Sequence, residues 1–116
     1  MPFRRASSPL PLTPVAFEIL LALARHELHG YAILQAVESR VRQVLPLRTG
    51  TLYRALARLL DDGLIAEAAP AAGDDERRRT YRITAHGREI ARAEARRLAD
   101  QVAAARTRRL LERGGR

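Results

Sequence analysis

Residues 48–80 contain the segment that most restricts how this chain can fold. Leucines recur there at three- and four-residue steps up to Gly63. An apolar stretch and an acidic stretch come next, followed by the basic run R-R-R-T-Y-R-I-T, which continues to residue 84. The leucine spacing predicts a helix over residues 50–62, with Gly63 as its left-handed C-terminal stop. The next residues predict strands over 64–69 and 77–84, joined by a turn. A helix followed by a two-stranded β-hairpin predicts a mainly α fold of the winged helix-turn-helix type.

Apolar periodicity on both sides of this segment predicts three more helices, over residues 13–25, 30–44 and 85–112. Thr13 followed by Pro14 is typical of a helix N-terminus, and Thr84 is placed to cap the last helix. We therefore expect a flexible arm, a winged helix-turn-helix domain and a C-terminal dimerisation helix, over residues 1–12, 13–84 and 85–116.

The charge of the chain is uneven. The formal net charge is +8, and all 21 basic residues are arginine. Residues 1–76 carry eight arginines and nine acidic residues, for −1, whereas residues 77–116 carry thirteen and four, for +9. Arginine binds phosphate or guanine through two parallel hydrogen bonds, so a polyanion is the leading candidate partner. A surface charge that only keeps the protein soluble is the alternative.

Several classes of function are disfavoured by what the sequence lacks. There is no cysteine, which excludes disulfides and thiolate chemistry. His26 and His29 have the spacing of a metal pair, but only Glu27 lies near them, so we expect structural roles, no metal and no cofactor. The sequence shows neither a Ser-His-Asp grouping nor a phosphate-binding glycine loop, and we expect no enzyme activity.

The N-terminal residues do not have the continuous apolar stretch of a signal peptide. The longest strongly apolar run, residues 19–24, is far shorter than a membrane span. We therefore expect a cytoplasmic protein with no membrane partner.

The helix predicted over residues 50–62 has two different faces. Its leucines are expected to face the core, while Thr51, Arg54 and Arg58 project together from another side. In a DNA major groove, the two arginines could bind guanine edges and Thr51 could contact a thymine methyl group or a phosphate. Thr49 and Tyr53, near the helix N-terminus, could donate to phosphate oxygens. The alternative is that Arg54 and Arg58 simply form a solvated face.

The hairpin begins its second strand with Arg77, Arg78 and Arg79. We predict that these side chains contact phosphates or a minor groove beside the helix. The alternative is that they pair with the acidic residues at positions 74–76.

The last predicted helix is longer than a domain of this size needs for its own core. It carries a thin apolar stripe composed of Ile90, Leu98, Val102, Ala105 and Leu110. We predict that this stripe packs against a second copy of the chain. The alternative, an amphipathic helix on an anionic membrane, is disfavoured because the apolar side is mostly alanine.

Four segments together resemble the PadR family of bacterial transcriptional regulators, over about residues 13 to 112. They read H-G-Y-A-I-L (29–34), T-G-T-L-Y-R-A-L-A-R-L (49–59), D-G-L-I (62–65) and R-R-T-Y-R-I-T-A-H-G-R (78–88). The single C-terminal helix is similar to the smaller PadR-like subgroup. The resemblance implies a homodimeric winged-helix repressor with the last helix in the dimer interface. It also implies that Tyr31, Thr51, Tyr53 and the arginines of the hairpin lie around DNA.

Some members of that family release DNA when phenolic acids or planar drugs bind between the subunits. The resemblance therefore implies a ligand-responsive repressor, although no effector and no effector site are predicted. Two symmetric copies should bind double-stranded DNA at a pseudo-palindromic operator. The alternative is a winged-helix module that binds protein or RNA.

Overall fold

The computed structural model describes residues 10–42, 44, 47–68 and 79–112. In chain order the elements are α1 (Pro14–Leu23), β1 (Leu28–His29), α2 (Gly30–Val41), α3 (Thr49–Asp61), β2 (Ile65–Glu67), β3 (Thr80–Ile83) and α4 (Ala85–Thr107). The fold is mainly helical with a small antiparallel sheet, and this confirms the predicted fold class.

Side-chain caps fix where three of the helices begin. Thr13 Oγ1 accepts a hydrogen bond from the Ala16 amide at 3.1 Å, and Thr84 Oγ1 accepts one from the Gly87 amide at 2.9 Å. Both caps confirm the predicted starts of α1 and α4. His29 caps α2, since its Nδ1 accepts from the Ala32 amide at 3.2 Å. This histidine therefore has the structural role that the sequence favoured.

The sheet has three strands in the order β1-β3-β2, so it contains the two predicted hairpin strands and one further strand that was not predicted. The hairpin strands β2 and β3 pair antiparallel, with Ile65 opposite Ile83. The additional strand β1 pairs with the other edge of β3, with Leu28 opposite Tyr81. The sequence predicted residues 26–30 as a plain connection, because a strand of two residues is too short to show alternation.

The core lies between the helices and the sheet. It is aliphatic apart from Tyr81, and in the described residues it consists of Val15, Ile19, Leu20, Leu23, Ile33, Val37, Val41, Leu52, Leu56, Leu59, Leu64, Ile65, Tyr81 and Ile83. Along β3, Tyr81 and Ile83 are buried while Arg82 is exposed, as the alternating pattern predicted. Because Leu52, Leu56 and Leu59 belong to this core, they hold α3 against it and determine which face of the helix reaches solvent.

The end of α3 is a glycine stop, as predicted. Gly63 has a φ of 76°, in the left-handed region that glycine adopts without steric cost. The amide of Gly63 donates to Leu60 O at 3.1 Å, and that of Leu64 donates to Leu59 O at 3.0 Å. This pair of hydrogen bonds is the Schellman motif, which satisfies the last carbonyls of the helix.

The end of α4 differs from the prediction. The helix was expected to continue to residue 112, but it ends at Thr107. Arg109 has a φ of 63°, and the amide of Leu110 donates to Ala105 O at 2.8 Å, which is again a Schellman motif. Because an arginine and not a glycine occupies the left-handed position, the sequence did not signal this stop. Leu110 therefore lies beyond the helix and not on its apolar stripe.

Helix α4 is anchored to the rest of the fold at two levels. In its first turn, Gly87 is buried against the backbone of Leu64, and the Thr84 hydroxyl donates to Gly63 O at 2.8 Å. In its middle, the carboxylate of Glu94 is 2% exposed and accepts two hydrogen bonds from Arg97, at 2.7 and 2.8 Å. The Leu12 amide, just before α1, donates to the same carboxylate. These contacts join α4 to the residues that precede β2 and to the residue that precedes α1 by two positions.

The Arg97 guanidinium holds the pKa of the Glu94 carboxyl below its ordinary value, against the opposing effect of burial. The pKa of Arg97 is raised by the same hydrogen bonds. Both groups are therefore charged over the physiological range of pH.

Candidate nucleic-acid interface

Helix α3 presents a polar face because its leucine face is buried. Leu52, Leu56 and Leu59 are each no more than 2% exposed. Thr49, Arg54 and Arg58 are exposed, and Thr51 is half-buried. The structure thus brings four of the predicted contact residues onto the outward side of one helix.

The N-terminal end of α3 has a concentration of positive charge. Arg48 is the N-cap residue, and no side chain of the described residues caps this helix, in contrast to α1, α2 and α4. The first amides of the helix are therefore open to an external acceptor, and the helix dipole gives this end a partial positive charge.

Arg54 extends toward this end. A Cβ built on Gly50 would lie 3.4 Å from Arg54 Nη1, so the guanidinium lies over Gly50, one turn closer to the helix N-terminus. A cation beside the positive end of a helix is electrostatically unfavourable until an anion binds there. Open amides and a guanidinium at one site are the donors that a phosphate requires.

Arg58 extends in the opposite direction. Its Nε lies 3.7 Å from Asp62 Oδ2, and 79% of the Arg58 side chain is exposed. The two arginines are one turn apart on the same helix, but only Arg54 lies toward the N-terminal end.

The two predicted tyrosines differ in accessibility. Tyr31, in the first turn of α2, is 46% exposed, and its hydroxyl accepts a hydrogen bond from Gln35 Nε2 at 3.1 Å. Tyr53 packs against the core and its hydroxyl is buried. Tyr53 could therefore reach a phosphate only if its side chain rotated, and its part in binding stays a prediction.

The hairpin is described only near its base. Arg79 Nη1 lies 3.6 Å from Glu67 Oε2 on the neighbouring strand, and the Arg79 carbonyl accepts from the Gly30 amide at 3.1 Å. This places Arg79 beside the first residue of α2. Arg77 and Arg78, together with the acidic residues at 74–76, lie outside the described residues, so their predicted roles stay predictions.

The predicted dimer stripe lies partly on the core of its own domain. Ile90 packs against the core, whereas Leu98 and Ala105 are half-buried and Val102 is 40% exposed. Leu110 is 79% exposed beyond the end of α4. The C-terminal half of α4 therefore carries Leu98, Val102 and Ala105 as apolar positions of the stripe that its own chain covers incompletely.

No cluster of three or more histidines or carboxylates with the arrangement of a metal site occurs among the described residues. None of the described helices is long and apolar enough to cross a membrane.

Two residues of this surface were not singled out from the sequence: Asp62, which pairs with Arg58, and Glu67, which pairs with Arg79. The four-residue spacing of Arg58 and Asp62 was a usable signal, because such residues are neighbours on a helix. Glu67 and Arg79 meet only through the register of β2 and β3, which the sequence does not specify.

The arrangement of α2, α3 and the three-stranded sheet is that of a winged helix-turn-helix protein. A sequence model of the "Transcriptional regulator PadR-like family" matches residues 19–93. The chain belongs to this family of transcriptional regulators, whose members are not enzymes.

Solved structures agree with this assignment. A transcriptional regulator from Clostridium thermocellum is 26% identical, with a TM-score of 0.66, and the match covers 80% of this chain and 87% of that one. A PadR family transcription regulator from Clostridium difficile is 22% identical, with a TM-score of 0.66, and the match covers 82% and 97% of the two chains.

The PadR protein of Bacillus subtilis, solved in complex with operator DNA, is 23% identical, with a TM-score of 0.59. The match covers 70% of this chain but only 46% of that protein. No curated protein sequence matches this chain.

Proposed function

We propose that this chain binds operator DNA in a sequence-specific manner, with α3 in the major groove. The observation that carries the proposal is the N-terminal end of α3, where open backbone amides and the Arg54 guanidinium converge. Recognition helices approach DNA with their N-terminal residues, so this is the end that would enter the groove. In that position Arg54 would reach a guanine edge, and Thr49 and Thr51 would contact phosphate or a thymine methyl group.

The position of β1 supports a continuous binding surface. The Gly30 amide donates to Arg79 O, which ties the start of α2 to the base of the hairpin. Tyr31 and the hairpin arginines would then contact the DNA backbone on either side of α3. The family and the operator complex of the B. subtilis protein favour DNA over RNA or protein as the partner.

We infer that the protein acts as a homodimer. The C-terminal half of α4 leaves Leu98, Val102 and Ala105 incompletely covered, and burial against a second copy would remove this apolar surface from water. A two-fold dimer would place two α3 helices in successive major grooves, about one helical turn (~34 Å) apart. The operator would then be a pseudo-palindrome.

Repression, and release of DNA by a small molecule, are proposed from the resemblance to the family. A dimer that covers two adjacent major grooves blocks access to that DNA, which is the physical basis for repression. The described residues of α4 include no Phe, Tyr or Trp, so this helix does not supply the large aromatic stacking surface that a planar effector would need.

Selection of bound duplexes from a random pool tests the proposal. We expect enrichment of two inverted half-sites whose centres are about one turn apart. A pool that shows no enrichment would contradict sequence-specific binding, and enrichment of a single half-site would contradict the symmetric dimer.

A further inference from the structure

The two outward arginines of α3 differ in what holds them. Long side chains on helices normally lean toward the N-terminus, and Arg54 does so. Arg58 instead extends toward Asp62, at the C-terminal end of α3, and its Nε lies 3.7 Å from Oδ2 of that carboxylate. The ion pair therefore draws the guanidinium away from the end of the helix that would enter the groove.

We propose that Asp62 is a positioning residue that competes with DNA for Arg58 and thereby lowers the affinity of the protein for any duplex. The inference rests on the proposed function, since it assigns a second task to residues of the same helix. A phosphate or a base edge therefore competes with the Asp62 carboxylate for the Arg58 guanidinium.

The location of Asp62 supports a competitive role over a purely structural one. Asp62 is the C-cap residue of α3, where the helix dipole disfavours a carboxylate. Arg58 is the basic residue in the last turn that neutralises it. The Arg58 side chain is 79% exposed and that of Asp62 is 24% exposed, so Arg58 is the partner that can exchange this contact for another.

The chain provides a matched control at the preceding position. Asp61 is exposed on the same helix, and no ion pair joins it to any of the described arginines. Asp61→Asn and Asp62→Asn remove the same charge from adjacent positions. Any difference between the two variants therefore reports the particular contacts of Asp62 and not the net charge.

The experiment measures the affinity of wild type and both variants for a random-sequence duplex, by fluorescence anisotropy over a salt series. At about 50 mM salt we expect Asp62→Asn to bind about twofold to fivefold more tightly than Asp61→Asn, the range of an exposed ion pair. The advantage should shrink as salt rises, because both the ion pair and the phosphate contact are screened.

A double-mutant cycle isolates the route through Arg58. In an Arg58→Ala background, Asp62→Asn should bind no more tightly than Asp61→Asn. If Asp62→Asn still bound duplex more tightly than Asp61→Asn in the Arg58→Ala background, Asp62 would act through some other group and the proposal would be wrong.

The failure of this inference is distinguishable from the failure of the proposed function. Wild-type protein that binds duplex, with equal affinities for Asp62→Asn and Asp61→Asn, would overturn the role of Asp62 alone. Wild-type protein that binds no duplex at about 50 mM salt would overturn DNA binding itself, and the inference with it.

Discussion

Replacing Gly87 with alanine should destabilise the fold, although alanine is the better helix former. Gly87 lies in the first turn of α4, and a Cβ built there would overlap Leu64 O. The same Cβ would lie 2.9 Å from Leu64 C and 3.0 Å from Ile83 Cγ1. The closest of these atoms belong to backbone, so the methyl group fits only if α4 and the start of β2 separate.

The size of the effect follows from the contacts that such a separation disturbs. Normal carbon contacts need about 3.5–4.0 Å, so the elements must move apart by about 1 Å. Overpacking of this kind costs about 1–3 kcal/mol. The Thr84 amide donates to Leu64 O at 3.1 Å, and weakening this bond and the Thr84 cap adds about 1–2 kcal/mol. Helix propensity returns about 1 kcal/mol, which leaves a loss of about 1–4 kcal/mol.

Thermal unfolding followed by circular dichroism at fixed protein concentration measures this loss. For a chain of this length we expect Tm to fall by roughly 4–16 °C. Gly50→Ala is the matched control, because its Cβ would meet only the flexible tip of Arg54, at 3.4 Å. That variant should be neutral or slightly stabilised. If Gly87→Ala were as stable as Gly50→Ala, the close packing of α4 on Leu64 would be refuted.

Three further substitutions test separate parts of the account. Arg54→Ala should reduce base preference at one position of each half-site. Arg92→Ala, which removes another exposed charge, from α4, should leave the selected sequence unchanged. Val102→Glu should give monomers in light scattering. Val44→Glu should not, because this valine is 84% exposed and lies outside the stripe. Dimers in both variants would place the interface elsewhere. Glu94→Gln should lower the free energy of unfolding by about 1–3 kcal/mol at pH 7. The pKa of Glu94 is lower in the folded protein than in the unfolded one. The stability that the charged carboxylate contributes is therefore fully present above the unfolded pKa of about 4.3, and it is lost as pH falls through the folded pKa. The stability gap between this variant and wild type should therefore narrow progressively as pH falls below about 4.3, and a gap that does not narrow there would contradict the charged pair.

Local chemistry made most of the fold predictable. Thr13 and Thr84 are caps whose side chains bond to amides three residues later, and Gly63 supplies the left-handed residue that ends α3. Alternation along β3 correctly separated buried Tyr81 from exposed Arg82. Each of these signals acts within a few residues of the chain, so the sequence contains it in full.

The features that sequence reasoning missed depend on contacts between distant segments or on an unusual residue choice. Strand β1 exists because Leu28 meets Tyr81, which is far from it in the sequence. The early end of α4 depends on Arg109 in a conformation that arginine seldom adopts. The close approach of Gly87 to Leu64 depends on how α4 docks on the sheet.

The candidate site was predictable as a set of residues but not as a geometry. The buried leucines of α3 correctly indicated that Arg54 and Arg58 reach solvent. The opposite directions of these two arginines were not predictable, because Arg58 could pair with Asp62 or extend freely.

The central claim is that the N-terminal end of α3 enters the major groove, and directed DNA cleavage tests it most directly. Because the chain has no cysteine, a DNA-cleaving reagent can be attached at a single introduced thiol. We predict that labelled Thr49→Cys cuts a selected duplex at two major-groove positions about one helical turn apart, while labelled Ala99→Cys, exposed on α4, does not cut. Cleavage from position 99 with none from position 49 would contradict the account.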